Sequence, residues 1–169
     1  TEKTFVADCA AQASWLVKSL DQRAKTILKV SSEIVRQQDA FLAFGVEFLR
    51  PLNLKTVADA IGMHESTVSR VTSNKYVSTP RGVFELKFFF TAAIQSVDGA
   101  STHSAEAVRH RIKTMIDGEG VGGDVLSDDR IVEILKEAGI DIARRTVAKY
   151  REALRIPSSV ERRRMLKTG

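Results

Sequence analysis

The sequence contains few of the residues that disulfide scaffolds and metal centres require. Its 169 residues include one cysteine, Cys9, and three scattered histidines, so neither a disulfide framework nor a zinc site is expected. No apolar run approaches the roughly eighteen residues of a membrane span. The chain begins with Thr1 and carries no signal-peptide pattern. We therefore expect a piece of a longer intracellular protein with no metal and no cofactor.

Proline and glycine are absent between Thr1 and Phe44, so nothing there interrupts a helix. Apolar residues recur every seven positions, with others between them, which predicts an apolar stripe of coiled-coil-like spacing. The main positions of this stripe are Leu20, Ile27, Ile34, Phe41 and Phe48. A helix from about Gln12 to Leu49 would be roughly 57 Å long at 1.5 Å per residue. A small domain cannot cover such a helix, so a partner or another domain should lie along it.

Positive charge is concentrated at the C-terminal end. The chain has a net charge of +5, but residues 141–169 alone carry nine basic and three acidic residues. Such a basic end on a nearly neutral body favours a polyanionic partner, nucleic acid before membrane. A membrane surface would call for an apolar face with Trp or Phe beside the charges, and this segment has neither.

Residues 54–73 have the pattern of a helix-turn-helix. Ala58 is the small residue where two helices would cross, Gly62 suits the turn, and Val68 and Val71 would face inward. On a helical wheel Ser66 and Arg70 then point away from the core, with Ser69 and Ser73 beside them. These are the side chains that a DNA groove would meet.

A second helix-turn-helix is predicted near the C-terminus. Ser127 would cap a helix that ends at Gly139, and 145–150 aligns with 66–71 when the turn is two residues longer. With Val147 facing the core, Arg145 and Lys149 point outward, where they could contact base edges. Arg144 and Arg151 flank the buried stripe and are expected to contact phosphates.

Other segments give weaker signals. A wing-like hairpin is plausible around the 78–82 turn, although the Phe88–Phe90 run could instead continue as a buried helix. Residues 96–104 resemble a linker by composition. Gly118, Gly120 and Gly123 have dinucleotide-site spacing, but no strand precedes them, so 117–124 is interpreted as a loop.

The run 143–152, Ala-Arg-Arg-Thr-Val-Ala-Lys-Tyr-Arg-Glu, resembles the RpoN box of the sigma-54 class of bacterial sigma factors. Residues 64–70 and 79–87 resemble that family's first DNA-binding segment, and the opening helix resembles its extra-long helix. The resemblance covers nearly the whole chain. It implies promoter recognition at a GG (minus-24) and a GC (minus-12) element, with polymerase held in a closed complex until an ATP-dependent activator acts.

The resemblance also implies the partners and the site. The expected partners are double-stranded promoter DNA, core RNA polymerase and, through the full-length protein, the activator. The expected location is the bacterial cytoplasm, at the nucleoid. The predicted DNA-binding residues of the RpoN box are Arg144, Arg145, Thr146, Lys149, Tyr150 and Arg151. Those of the first helix-turn-helix are Glu65, Ser66, Thr67, Ser69 and Arg70.

The predicted architecture is mainly α. Residues 1–95 would form the extra-long helix and the first helix-turn-helix domain, 96–104 a linker, and 105–169 a small three-helix RpoN-box domain. The alternative is a stand-alone regulator that dimerises through its first helix and binds a palindrome. A nucleic-acid enzyme is not expected, because the only dense acids are Asp124, Asp128 and Asp129, and two of them, Asp128 and Asp129, are explained by favourable charge in a helix's first turn.

Overall fold

The computed structural model describes residues 1–97, 99, 102–119 and 124–168, with the side chains of 167 and 168 excepted. The predicted mainly α fold is confirmed. The α-helices are α1 (Glu2–Gln37), α2 (Asp39–Phe44), α3 (Leu54–Ile61), α4 (Glu65–Thr72), α5 (Ala105–Asp117), α6 (Asp128–Glu137), α7 (Arg144–Ala153) and α8 (Ser159–Thr168). The strands are β1 (Tyr76–Thr79), β2 (Gly82–Glu85), β3 (Ala93–Gln95) and β4 (Thr102–Ser104). Short 3-10 turns cover Val46–Phe48 and Leu86–Phe89.

The chain divides into two compact units. The first comprises residues 1–37 and 54–88, and the second comprises residues 38–53 and 89–169. Each unit is therefore built from two separate stretches of sequence. This division differs from the predicted boundaries at residues 95 and 105, because the segment after α1 belongs with the C-terminal part of the chain. Which boundaries delimit independently folding domains stays a prediction.

The first unit consists of the long helix, a helix-turn-helix and a hairpin. α3 and α4 pack on each other and both pack against α1, whose Val30 and Ile34 are fully buried. β1 and β2 then form an antiparallel hairpin that pairs Thr79 with Gly82 across a two-residue turn. The hairpin is the predicted wing. Phe89, in the Phe88–Phe90 run, belongs to the second unit.

The long helix begins earlier and ends earlier than predicted. It starts at Glu2 and stops at Gln37, twelve residues before Leu49. Gln38 is buried, and its side-chain amide donates to the Arg50 and Phe89 carbonyls while its oxygen accepts from the Arg50 amide. These three hydrogen bonds stabilise a break in the helix that no proline or glycine signals. Leu20 and Phe48 of the predicted stripe remain more than half exposed.

The second unit has an apolar core to which three helices contribute. α5 and α6 each pack against α7, and the buried side chains interlock in a single cluster. Its fully buried members include Ile112, Ile131, Leu135 and Val147. Ser104 caps α5 by accepting a hydrogen bond from the Ala107 amide, and Ser127 caps α6, as predicted, by accepting one from the Arg130 amide.

The described part of the predicted linker, 96–104, lies in the second unit. β3 pairs with β4 in an antiparallel hairpin, and the Ser96 hydroxyl donates to the Gly139 carbonyl at 2.8 Å. Residues 98, 100 and 101 of the predicted linker lie outside the described residues, as do residues 120–123 of the predicted glycine-rich loop. Among the helices that the structure describes, none has the length and apolar composition of a membrane span.

Candidate nucleic-acid interface

The first helix-turn-helix orients α4 by local backbone chemistry. Gly62 in the turn has φ +66°, a conformation that side chains with a Cβ rarely adopt. His64 then caps α4, since its Nδ1 atom accepts a hydrogen bond from the Ser66 amide at 3.2 Å. On the inner side Val68 is fully buried. The turn, the cap and this anchor together fix which face of α4 is exposed.

The exposed face of α4 carries most of the predicted contacts. Glu65, Ser66 and Arg70 are exposed, whereas Thr67 and Ser69 are half-buried. The Arg70 guanidinium lies back along the helix, with Nε donating to the Ser66 carbonyl at 3.1 Å and Nη2 to the Ser66 hydroxyl at 3.2 Å. The face therefore offers a hydroxyl and a guanidinium that can exchange these internal hydrogen bonds for bonds to DNA.

A basic groove adjoins α4 on the first unit. Arg70 lines it together with Arg23 of α1 and Lys75, the half-buried residue just before the hairpin. The sequence pattern gave no reason to rank Lys75 or to select Arg23. Arg23 and Lys75 line the groove because α1 packs beside α4, and heptad spacing alone does not determine that packing.

In the second helix-turn-helix, Gly139 has φ +83° in the turn, and Val147 anchors α7 in the core. Arg145 and Lys149 are both exposed, as the wheel predicted, and Thr146 is half-buried. Arg144 is also exposed and pairs through Nε with Asp129 of α6 at 3.1 Å. Three basic side chains are thus presented along α7.

The electrostatics of α7 are unfavourable to its own stability. Its N-cap is Ala143, which makes no side-chain capping hydrogen bond, and its first turn contains no acid. Arg145 instead adds positive charge to the positive end of the helix dipole, which costs stability, whereas Arg144 is paired with Asp129. A phosphate-bearing ligand would relieve both the dipole and the charge repulsion.

Tyr150 and Arg151, which the sequence predicted as DNA contacts, are both buried in the second unit. Tyr150 is 9% exposed and its ring lies 4.8 Å below the Arg109 guanidinium of α5. Arg151 is 6% exposed and donates from Nε and Nη2 to the two carboxylate oxygens of Asp128, at 2.9 and 3.2 Å. These hydrogen bonds raise the pKa of Arg151 against the opposing effect of burial. Both side chains are engaged inside the unit.

A second buried ion pair lies in the basic C-terminal segment, for which the charge pattern predicts a polyanionic partner. Arg162 of α8 is 8% exposed and forms two hydrogen bonds to the carboxylate of Glu119, at 2.8 and 2.9 Å. Its guanidinium also donates to the carbonyls of Leu126 and Pro157. α8 is thereby attached to the segments on either side of the α5–α6 connection.

A local sequence signal, a serine followed by a glutamate, marks the start of α8. The Ser158 amide and hydroxyl both donate to the Glu161 carboxylate at 2.9 Å, which forms a capping box. The backbone hydrogen bond from Ser158 lowers the pKa of Glu161. A serine followed three residues later by glutamate predicts such a helix start.

The remaining chemistry is sparse. Within the ranges that the structure describes, no group of three or more histidine, cysteine, aspartate and glutamate side chains could hold a metal ion. What the two units present instead is a pair of short helices, each following a turn with a left-handed glycine and each exposing basic and polar side chains. This architecture defines a helical DNA-binding protein with two helix-turn-helix units.

Comparison with known proteins identifies the family. The family described as sigma-54, DNA binding domain, matches residues 3–164, and the chain belongs to it. The RNA polymerase sigma-54 factor of Caulobacter vibrioides is 81% identical over 166 residues, 98% of this chain and 33% of the relative. That of Azorhizobium caulinodans is 73% identical over 163 residues, 96% and 32% respectively. The chain therefore spans about a third of these relatives.

A solved structure supports the same assignment. The crystal structure of Aquifex aeolicus sigmaN bound to promoter DNA matches with a TM-score of 0.55 and 38% sequence identity. The match covers 95% of this chain and 48% of that one. Sigma-54 factors are transcription initiation factors rather than enzymes.

Proposed function

We propose that this chain recognises double-stranded promoter DNA through two heads. α7 reads an upstream GG element (minus-24), and α4 lies at a downstream GC element (minus-12). Elements about one helical turn apart allow both heads to approach the same face of the duplex. Arg145 and Lys149 contact base edges of the GG element, Arg144 contacts phosphate, and Thr146 lies beside them. Glu65, Ser66 and Arg70 face the GC element, with Thr67 and Ser69 at its margin.

The observation that carries the proposal is the uncapped, basic N-terminus of α7. Arg145 is exposed there without a capping side chain or an acid in the first turn. This arrangement destabilises the free protein, and a bound polyanion would neutralise the unfavourable positive charge. Arginine can donate two hydrogen bonds to O6 and N7 of guanine, which matches an element composed of guanines.

The wider function concerns the full-length protein, of which this chain would be a part. There the two heads position core RNA polymerase in a closed complex that awaits an ATP-dependent activator. The protein acts in the bacterial cytoplasm, at the nucleoid. The family membership and the DNA-bound neighbour support this extension.

The proposal is tested by equilibrium binding to a duplex that carries both elements, at fixed salt. Scrambling GG should remove most of the affinity and scrambling GC should remove less. The complex should contain one chain per asymmetric site, measured by analytical ultracentrifugation. Binding that is indifferent to both elements, or a dimer on a palindrome, would overturn the proposal in favour of a stand-alone regulator.

Replacing Arg145 with alanine should weaken binding to the intact duplex by about 1–3 kcal/mol and relax preference at one base pair. The reason is the loss of a base contact rather than of charge alone. Lys113→Ala, an exposed lysine on α5, is the control for losing one positive charge. Isothermal titration against single-base variants of the GG element provides the measurement. Equal weakening on every duplex would reassign Arg145 to a phosphate.

A further inference from the structure

The Arg151–Asp128 ion pair joins three separate points of the second unit. Arg151 lies near the C-terminal end of α7, and Asp128 lies in the first turn of α6. The guanidinium forms two hydrogen bonds to the carboxylate and a third, from Nη1, to the Ile156 carbonyl at 2.9 Å. The pair therefore ties α7 to the start of α6 and to the turn that follows α7.

The hydrogen bonds between Arg151 and Asp128 are directional, whereas the apolar contacts of the surrounding core are not. Apolar burial such as that of Val147 is non-directional. Two parallel hydrogen bonds between a planar guanidinium and a carboxylate fix both distance and orientation. Burial strengthens this constraint, since the two side chains are only 7% and 15% exposed.

The constraint acts on the same helix that carries the proposed base contacts. Arg151 is six residues from Arg145 and two from Lys149, so about 9 Å of rigid helix links the pair to the far contact. A small tilt of α7 displaces its exposed side chains together. Specific recognition requires side chains held within about half an ångström of their productive positions.

We propose that Arg151 and Asp128 are positioning residues for DNA recognition: their buried pair sets the orientation of α7 on α6 and so places Arg145 and Lys149 against the bases. Arg151 itself does not contact DNA. The inference rests on the proposed function for its binding readout, and it has a second readout that needs no DNA. A purely stabilising role is a weaker account, because apolar residues of similar volume often stabilise as well as a buried pair.

The test uses Asp128→Asn, Arg151→Lys and the double variant in the whole chain. Asparagine keeps the shape of aspartate, and lysine keeps the charge of Arg151 but cannot form the two parallel hydrogen bonds. Each single variant should lower the ratio of affinities for intact and GG-scrambled duplexes by roughly tenfold, the value of about one good base contact. The double variant should lose no more than either single one.

Two further measurements separate positioning from direct contact. The slope of log K against log salt should equal that of the wild-type chain for every variant, since no phosphate contact is lost. Residual dipolar couplings of the α7 amides, recorded without DNA, should no longer fit the wild-type orientation relative to α6. Asp129→Asn is the matched control. It removes the same charge from the same turn of α6, but Asp129 pairs with the exposed Arg144 rather than with Arg151. It should retain wild-type discrimination and couplings.

Three outcomes would overturn the inference. Lost discrimination for Arg151→Lys together with wild-type discrimination and couplings for Asp128→Asn would make Arg151 a direct DNA contact. Lower melting temperatures with unchanged discrimination and couplings would make the pair purely structural. Residual dipolar couplings of the α7 amides that match the wild-type chain in every variant would also exclude a positioning role for the pair. If the wild-type chain shows no preference for the GG element, the proposed function fails, and the couplings still decide whether the pair orients α7.

Discussion

Replacing Arg162 with alanine should lower the free energy of unfolding of the second unit by about 3–5 kcal/mol, because it leaves the Glu119 carboxylate buried without its partner. The side chains of Arg162 and Glu119 are 9% and 6% exposed. Two backbone carbonyls would also lose their donor. Urea unfolding followed by far-UV circular dichroism measures the loss.

Arg164→Ala is the matched control for Arg162→Ala. Arg164 lies two residues further along α8 and is exposed, so its removal should change stability by less than about 0.5 kcal/mol. Glu119→Gln should destabilise the unit as well, and the double variant should be less unstable than the sum of the two single effects. Equal losses for Arg162→Ala and Arg164→Ala would contradict the assignment of Arg162 as the attachment of α8.

Phe41→Ala should cost the second unit about 3–5 kcal/mol, the typical cost of removing a buried phenylalanine ring. Phe41 is fully buried, and its ring meets Phe89 edge to face with centroids 5.4 Å apart. The expected result is loss of hydrogen-exchange protection in α5, α6 and α7, while α3 and α4 keep theirs. Residue-resolved exchange by NMR makes the comparison.

Phe44, three residues further along α2, provides the control for Phe41→Ala. It is 68% exposed, so Phe44→Ala should cost less than about 1 kcal/mol. Protection lost in α3 and α4 rather than in α5–α7 would show that Phe41 supports the first unit. That result would favour the boundary at residue 95 that the sequence predicted.

Local signals in the sequence predicted much of the fold. Ser127, Gly62 and Gly139 mark a cap and two turns through chemistry that involves only neighbouring residues, and each has the expected role. The wheel also separated the buried Val147 from the exposed Arg145. Helical periodicity was sufficient here because the inner and outer faces of a short helix follow directly from residue spacing.

What the sequence could not predict depends on distant pairs. The helical wheel predicts a phosphate contact for Arg151 and contains no information about its carboxylate partner, which is 23 positions away. The helix dipole alone accounts for an acid at Asp128, so its sequence position does not indicate the second role that it has as the partner of Arg151. Gln38 ends α1 through backbone groups at residues 50 and 89, which no local pattern reveals.

The interleaving of the two units has a consequence for biosynthesis. Domains generally fold as they emerge during translation, N-terminal part first. The stretch 38–53 is synthesised between the two halves of the first unit, yet Phe41 and Leu49 are buried in a unit completed only by residues 89–169. Phe41 and Leu49 therefore remain unpacked in the nascent chain while more than thirty further residues are synthesised. During that interval they form an apolar segment that a ribosome-associated chaperone is suited to shield.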